Sequence, residues 1–298
     1  MSAAPPSAAA SLRARIATGA PLVAPGAMNA LFARLIEEAG FEAAYLTGAG
    51  VANATLGVPD LGLTTMTEMA RAAAQICDVT ALPVIADADT GFGGPLNVAR
   101  TVHAYERAGV AAIQLEDQEF PKRCGHLDGK RLIGVEEMRV RLRAALEARR
   151  DPDTVIIART DACGASGVED AIERGRAYRE EGADVLFCDG PRSERELERI
   201  GGELGALAPL MVSLVEGGRT PLMPVGALAE LGFRIVIFPG LLMRVAVRAA
   251  RDALAVLARD GGSAALLDRL ADFTAVNEIV GLGAYERRAA RLEEGLAP

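Results

Sequence analysis

Eight short segments rich in apolar and β-branched residues recur along the chain, separated by stretches with the spacing of amphipathic helices. The segments are PLVAPGA (21–27), AAYLTG (43–48), PVIADAD (83–89), AAIQLED (111–117), VIIARTD (155–161), VLFCDG (185–190), PLMVSLV (209–215) and RIVIFPG (234–240). Several helical stretches end, as helix C-termini often do, in a glycine just before the next segment: Gly40, Gly109, Gly182 and Gly232. This alternation predicts an α/β fold, a closed (β/α)8 barrel of the TIM type. A doubly wound open sheet is the alternative.

The two ends of the chain depart from this alternation. Residues 1–19 are rich in Ala, Pro and Ser and lack a charged start followed by an apolar core, so we interpret them as a loose lead-in, not a secretory signal. Residues 20–260 form the predicted barrel. After residue 260 a Gly-Gly break precedes short helices predicted at 264–272 and 284–294, with no further strand. This C-terminal helical segment, 261–298, is a candidate for packing on a neighbouring subunit.

Charge and composition argue against several classes of partner. The net charge of −8 and the pI near 5.1 disfavour nucleic acid and anionic membranes. No apolar run approaches the ~20 residues that a membrane span requires. The cysteines lack the spacing of zinc or dithiol motifs, which favours a reducing, cytoplasmic location; they are Cys77, Cys124, Cys163 and Cys188.

Acidic residues stand where the third and fourth predicted strands end. Asp87 and Asp89 lie two residues apart, so they point to the same face of a strand, and two carboxylates so placed repel each other unless a cation separates them. Mg²⁺ or Mn²⁺ is the natural occupant. Capping or salt-bridged acids at the barrel rim are the alternative. Glu116 has the parity of Gln114 and is expected to face the barrel mouth, whereas Asp117 is expected to support the following loop.

The loop after the fourth strand carries a cysteine in a cationic setting. Cys124 lies between Lys122-Arg123 and Gly125-His126, surroundings of the kind that favour a thiolate. Such a thiol can donate and accept a proton as a general acid/base, and a covalent nucleophile is the second interpretation. A small buried apolar cysteine is the structural alternative. For His126 we expect an orienting role, since no second histidine lies near it to share a metal.

An arginine also ends a predicted strand. Arg159 follows an apolar run, with Asp161 two residues on. A guanidinium at this rim can bind a substrate carboxylate through two parallel hydrogen bonds. An Arg–Asp pair that only holds the rim together is the alternative.

Several segments resemble the isocitrate lyase/phosphoenolpyruvate mutase superfamily over about residues 20–260. They are YLTGAGVANATLGVPDLGLTT, DADTGFG, LEDQEFPKRCGH, IIARTDA and EGGRTP. The KRCGH segment resembles the catalytic loop of the carbon–carbon lyases of that superfamily, and the pattern is most similar to 2-methylisocitrate and dimethylmalate lyases.

This resemblance implies a role for each matching residue. Asp87 and Asp89 would hold Mg²⁺, with Asp60 and Glu116 reaching it through water. Cys124 would be the general acid/base, its thiol tuned by Lys122 and His126. The implied substrate-binding residues are Thr47, Gly48, Ala49, Gly125, Arg159, Asp189, Ser213 and Arg244.

The chain also departs from the pattern of these lyases. Asp189 stands where they usually have Glu, and Ser213-Leu-Val215 replaces an Asn-x-Thr segment. An arginine expected near Phe273 is missing, although Arg244 remains. Fewer carboxylate partners predict a substrate smaller or less charged than a tricarboxylate.

The expected activity is Mg²⁺-dependent cleavage of a 2-hydroxy-polycarboxylate to a 2-oxo acid, such as pyruvate, and a second carboxylate. Carboxyvinyl-carboxyphosphonate phosphonomutase and oxaloacetate hydrolase or decarboxylase activities are the alternatives, followed by a non-catalytic ligand-binding barrel. The expected partner is a small carboxylate substrate, without nucleic acid or membrane. The resemblance further implies a homotetramer.

Overall fold

The computed structural model describes residues 6–125 and 127–295, and its eight parallel strands close into a barrel in sequence order, with β8 beside β1. The strands are β1 (Leu22–Ala27), β2 (Ala44–Leu46), β3 (Val84–Asp87), β4 (Ala112–Glu116), β5 (Val155–Thr160), β6 (Val185–Cys188), β7 (Leu210–Ser213) and β8 (Phe233–Phe238). Seven lie within the predicted segments, and β8 begins one residue before its segment, at Phe233. The predicted (β/α)8 barrel is therefore confirmed, and the open sheet is excluded.

Helices connect the strands. They are α1 (Ala8–Ala17), α2 (Ala30–Glu38), α3 (Gly48–Val51), α4 (Met66–Cys77), α5 (Pro95–Ala108), α6 (Val135–Ala148), α7 (Ala162–Ala165), α8 (Val168–Glu181), α9 (Glu194–Leu204), α10 (Val225–Glu230) and α11 (Leu241–Asp260). A π-helix over Ala52–Leu56 follows α3. As expected, α5 and α8 end at Gly109 and Gly182, whose φ angles of 90° and 113° are left-handed and favour glycine.

The expected loose lead-in is wrong for residues 8–17, which form α1. The Ser7 hydroxyl caps this helix by accepting a hydrogen bond from the Ala10 N–H. Leu12 and Ile16, one helical turn apart, are buried. They belong to the same apolar cluster as barrel-interior residues such as Leu22 and Ile85. Burial of this apolar face explains why the segment is ordered.

The core has two layers. Alternate strand residues fill the barrel interior, and the others pack against the surrounding helices. Strand register then fixes which residues meet at the C-terminal mouth. Asp87 pairs with Gln114, and Glu116 pairs with Arg159 on the next strand. The chemistry-bearing residues of three consecutive strands are thus brought to one edge.

The chain divides into two compact units, Met1–Met243 and Arg244–Pro298. The second unit contains most of α11, a 3-10 helix over Ala264–Arg269, α12 (Phe273–Ile279) and α13 (Leu282–Glu293). The sequence predicted two short helices here; the helix at 273–279 is an addition, and the Asp272 side chain caps it by accepting from the Ala275 N–H. Within the described residues, no helix is both long and apolar enough to cross a membrane.

Candidate active site

Asp87 and Asp89 lie side by side and buried at the end of β3. The chain turns sharply there: Asp89 has a left-handed φ of 47°, a conformation that short polar residues tolerate, and its N–H donates to Asp87 Oδ1 at 3.1 Å. The turn keeps both carboxylates at the mouth, although Asp89 lies beyond β3 and not on the strand face that alternation predicts for it.

A buried amide supports the Asp87 carboxylate. Gln114 Nε2 donates to Asp87 Oδ1 at 3.2 Å, and the Tyr45 hydroxyl donates to Gln114 Oε1 at 3.0 Å. Burial, and then the nearby Asp89 carboxylate, raise the pKa of Asp87 to about 6. Gly48 leaves room on the other side, because a Cβ there would lie 2.8 Å from Asp87 Oδ2. The Asp87 carboxylate is thus oriented by Gln114, crowded by negative charge and closely approached by the Gly48 backbone.

Lys122 lies between two acids. Its Nζ is 2.5 Å from Asp60 Oδ1 and 2.6 Å from Asp89 Oδ1, and its side chain is 3% exposed. Burial opposes the charged form, but Asp89 and Asp60 outweigh it and hold the pKa of Lys122 well above its usual value. Lys122 is therefore an ammonium ion at the site where the sequence places metal ligands.

Arg159 is held by three acids. Its Nε and Nη2 donate to the Asp161 carboxylate at 2.9 and 3.0 Å, its Nη2 also donates to Asp189 Oδ2 at 2.8 Å, and its Nη1 is 3.3 Å from Glu116 Oε2. The guanidinium carbon lies 5.4 Å from the centre of the Phe187 ring. Burial opposes ionisation of Asp161, but Arg159 and then Lys130 lower its pKa to about 2. The Arg159–Asp161 pair that the sequence offers as the alternative is therefore present. Arg159 nevertheless lies at the barrel mouth.

The loop after β4 brings Cys124 to the mouth. Cys124 is half-buried, and its N–H donates to the Asp60 carbonyl at 3.2 Å. Gly125 lies against the opposite wall: a Cβ there would lie 1.7 Å from Asp189 Oδ2 and 2.4 Å from Arg159 Nη2, so only glycine fits. His126, the third predicted catalytic residue, lies outside the described residues.

The remaining predicted site residues have different surroundings. Thr47 is buried and caps α3, its hydroxyl accepting from the Gly50 N–H at 3.2 Å, and Ala49 is half-buried in that helix. Ser213 is buried at the end of β7. Arg244 is the first residue of the second unit, and its predicted substrate contact stays a prediction.

Sequence reasoning missed the buried Lys130, and Asp117 makes more contacts than the support of one loop that was expected of it. Lys130 Nζ lies 2.9 Å from Asp161 Oδ1. Asp117 accepts from the Tyr178 hydroxyl at 2.7 Å, the Asp161 N–H at 3.0 Å and Arg174 at 3.1 Å, which agrees with its expected supporting role. A lysine beside a glycine in a polar loop carries no pattern that indicates burial, so Lys130 offered no signal.

The site carries an excess of negative charge. Ion pairs join three cations (Lys122, Lys130 and Arg159) to five acids (Asp60, Asp89, Glu116, Asp161 and Asp189). Asp87 is a sixth acid, so the acids outnumber these cations by three. Burial raises the pKa of Glu116 well above its usual range although Arg159 opposes the shift.

The donor set suits a cation held by few protein ligands. Over residues 6–125 and 127–295, no three His, Cys, Asp or Glu side chains form a ready metal-ligand group. Mg²⁺, however, usually takes one or two carboxylates and keeps several waters. Glu116 Oε1 and Asp189 Oδ1 are buried without a hydrogen-bond partner in the described part of the chain, as is expected where water or an ion belongs. Asp87 and Asp89, backed by these acids, fit such an ion.

Fold and site together define a class of protein: a (β/α)8 barrel whose mouth combines clustered carboxylates, a buried arginine and a loop cysteine. A sequence profile described as phosphoenolpyruvate phosphomutase matches residues 12–258. The chain belongs to this phosphoenolpyruvate mutase/isocitrate lyase family.

Similar proteins carry several activities. The chain is 45% identical over 274 residues to the 2,3-dimethylmalate lyase of Eubacterium barkeri, covering 92% of this chain and 94% of that protein. It is 44% identical over 271 residues to the 2-methylisocitrate lyase of Aeropyrum pernix, covering 91% and 86%. A structure of oxaloacetate acetylhydrolase with 3,3-difluorooxalacetate superposes with a TM-score of 0.90 at 40% identity, covering 97% of both chains. A structure of phosphonopyruvate hydrolase with oxalate and Mg²⁺ superposes with a TM-score of 0.86 at 32% identity, covering 96% of this chain and 99% of that chain.

Proposed function

We propose that this protein is a Mg²⁺-dependent carbon–carbon lyase that cleaves a 2-hydroxy-polycarboxylate of the methylisocitrate or dimethylmalate type. The products are a 2-oxo acid, such as pyruvate, and a second carboxylate. One observation carries the proposal: the barrel mouth brings the Asp87–Asp89 pair, the Arg159 guanidinium and the Cys124 loop together. Cleavage of this kind needs a charge acceptor, a carboxylate anchor and a proton donor at one place.

Asp87 and Asp89 would hold the cation, with Asp60 and Glu116 reaching it through water. When bound, Mg²⁺, or Mn²⁺ in its place, lowers the pKa of the substrate hydroxyl and stabilises the charge that develops as the bond breaks. Lys122, which contacts Asp60 and Asp89, limits the repulsion among these acids. The chain itself thus supplies an oriented, strongly negative site in which a dication is favoured.

The remaining groups orient substrate and move a proton. Arg159 binds one substrate carboxylate through its fork of N–H groups. Gly48 and Gly125 let the backbone approach Asp87 and Arg159 closely, because a Cβ at either position would overlap these side chains. A base at the barrel mouth takes the proton of the substrate hydroxyl as the carbon–carbon bond breaks. Cys124 protonates the departing carbanion, and it takes that proton back in the reverse direction. Lys122 and His126 are proposed to tune its thiol.

The proposed substrate is smaller or less charged than a tricarboxylate. Asp189 is already joined to Arg159 at 2.8 Å, so it reduces the positive charge available to a substrate carboxylate. Ser213 at the end of β7 offers one hydroxyl and Val215 none, where the resemblance to methylisocitrate lyase implies the amide and the hydroxyl of an Asn-x-Thr segment. A site with fewer buried donors selects against substrates that need them.

The proposal is tested by assaying 2-oxo acid release from 2,3-dimethylmalate and 2-methylisocitrate, with oxaloacetate and phosphonopyruvate in parallel. We expect turnover of a hydroxy acid that stops on addition of EDTA and returns with Mg²⁺. Turnover that survives complete chelation would contradict the proposed metal role. Absence of turnover with every hydroxy acid would contradict the lyase assignment.

Oxaloacetate hydrolysis is the second candidate. The similarity to oxaloacetate acetylhydrolase, 40% identical over nearly the whole chain, favours it. It would use the same metal site and Arg159, with water as a co-substrate. Release of acetate and oxalate from oxaloacetate, faster than any cleavage of a hydroxy acid, would establish this candidate in place of the first.

A further inference from the structure

Lys130 is a buried cation without a role in the proposed reaction. It lies in the segment by which the Cys124 loop returns toward α6, and its side chain is 1% exposed. Its Nζ donates to the backbone carbonyl of Gly125 and to Asp161 Oδ1, the latter at 2.9 Å. A lysine is rarely buried unless its charge is paired, so both contacts define its position.

The loop that carries Cys124 is attached at its base and at its tip. At the base, the Glu119 N–H donates to the Arg131 carbonyl at 2.8 Å, so the two limbs of the loop are joined. At the tip, the Cys124 N–H donates to the Asp60 carbonyl at 3.2 Å. Lys130 holds the tip from the other side, through the Gly125 carbonyl. The tip is therefore suspended between Asp60 and the Lys130 ammonium.

The same ammonium connects the tip to the substrate-binding wall. Asp161 accepts from Lys130 and, through both its oxygens, from Arg159. Gly125 packs so closely on Asp189 and Arg159 that a Cβ would overlap them. A displacement of the Gly125 carbonyl would thus separate the cysteine from the arginine that anchors the substrate.

We propose that Lys130 is a positioning residue that holds the Gly125 carbonyl against Asp161 and so places Cys124 over the barrel mouth. Its effect on turnover rests on the proposed function, whereas its effect on the loop does not. If Lys130 served only to neutralise Asp161, its loss would change stability and leave the loop tip as firmly held as before. Mobility of the tip therefore distinguishes the two roles.

The first test measures hydrogen exchange of the loop amides in the full-length protein without substrate, using peptides that contain Cys124. In Lys130→Met we expect the Cys124 amide to exchange about tenfold faster or more, because a hydrogen bond from a charged donor to the tip is lost. The control is Arg131→Gln, since Arg131 is exposed and pairs only with Glu119 among the described residues. Unchanged exchange in folded Lys130→Met would overturn the proposal.

Gly164→Ala gives a second variant that keeps the charge. A Cβ at residue 164 would lie 2.9 Å from Lys130 Nζ and 3.1 Å from its Cε, so the added methyl displaces the ammonium. We expect the Cys124 amide to exchange faster than in the wild-type protein, by a smaller factor than in Lys130→Met. If Lys130→Met fails to fold, this variant decides: wild-type exchange at Cys124 would overturn the proposal.

The second test is kinetic. Misplacing a catalytic group by about 1 Å costs about 100-fold, so we expect kcat of Lys130→Met to fall by about that factor while KM changes by less than about threefold. A loss confined to KM would overturn the positioning role. If the wild-type protein turns over no candidate substrate, the proposed function fails, and the exchange measurement still decides the role of Lys130.

Discussion

Arg159 contacts three acids at different distances, and the difference bears on how a substrate carboxylate could bind to it. Its bonds to Asp161 and Asp189 are short, whereas its contact with Glu116 is 3.3 Å. Burial disfavours the ionised form of Glu116 and raises its pKa well above the usual range, which weakens its attraction for the guanidinium. We therefore expect a substrate carboxylate to compete with Glu116 for the guanidinium more readily than with Asp161.

Replacing Cys124 by serine tests the proton-donor role. A hydroxyl of similar size is a far weaker acid, so we expect kcat to fall by about 10²–10⁴-fold, the usual contribution of general acid–base catalysis. Mg²⁺ affinity, measured by calorimetry, should stay at the wild-type value because Cys124 contributes no metal ligand in this scheme. Cys77→Ser is the matched control, because Cys77 is the last residue of α4 and lies outside the Cys124 loop. Wild-type turnover in Cys124→Ser would contradict the role.

Replacing Asp161 by asparagine tests the network that holds Arg159 and Lys130. The substitution leaves two buried cations short of a partner, so we expect a loss of about 3–5 kcal/mol in the free energy of unfolding. The pKa of Asp161 is lowered from 3.8 to about 2, so its stabilisation is complete above the unfolded-state value and disappears as pH falls through the folded one. The loss should therefore be constant between about pH 5 and pH 8.

Urea unfolding at several pH values measures this loss. The exposed Asp78→Asn is the control, with an expected change of less than about 0.5 kcal/mol. A loss in Asp161→Asn that changed strongly across that pH range would mean that another titrating group carries the effect.

The elements were predictable to very different degrees. Strands such as β3 and β4 are buried on both faces and appear in the sequence as apolar runs that end in acids, so the sequence located both the strands and the acids at their ends. The helix α1 was missed because only Leu12 and Ile16, spaced by one turn, distinguish its sequence from a loose lead-in. Lys122 and Lys130 lie on one loop, and loop path depends on tertiary contacts that no local pattern encodes.

The missed helix has a measurable consequence. Leu12 of α1 is fully buried among residues of the barrel interior, so Leu12→Ala should leave a cavity and reduce the free energy of unfolding by about 2–5 kcal/mol. Leu96→Ala is the matched control, because Leu96 is 87% exposed and should lose less than about 0.5 kcal/mol. Equal, small losses in denaturant unfolding would show that α1 contributes nothing to the barrel.

At the scale of the whole molecule, the second unit exposes much of its apolar surface. The helices α11, α12 and α13 contain no buried residue, and their exposed apolar side chains include Leu254 at 63%, Phe273 at 86% and Leu292 at 69%. Apolar area of this kind on one small unit is costly in water and marks an interaction surface. A partner copy of the chain is the occupant that the family resemblance implies.

We therefore expect a homotetramer, with a mass by light scattering of four times the 31.1 kDa of one chain. Phe273→Glu places a charge in the exposed apolar surface of α12 and should shift the protein toward smaller species, because a charge buried in an interface without a partner is unfavourable. Leu207→Glu, on an exposed loop of the first unit, is the control and should leave the mass unchanged. A wild-type monomer would contradict the expectation and would require another partner for the second unit. A tetramer unaffected by Phe273→Glu would place the subunit contact on other residues.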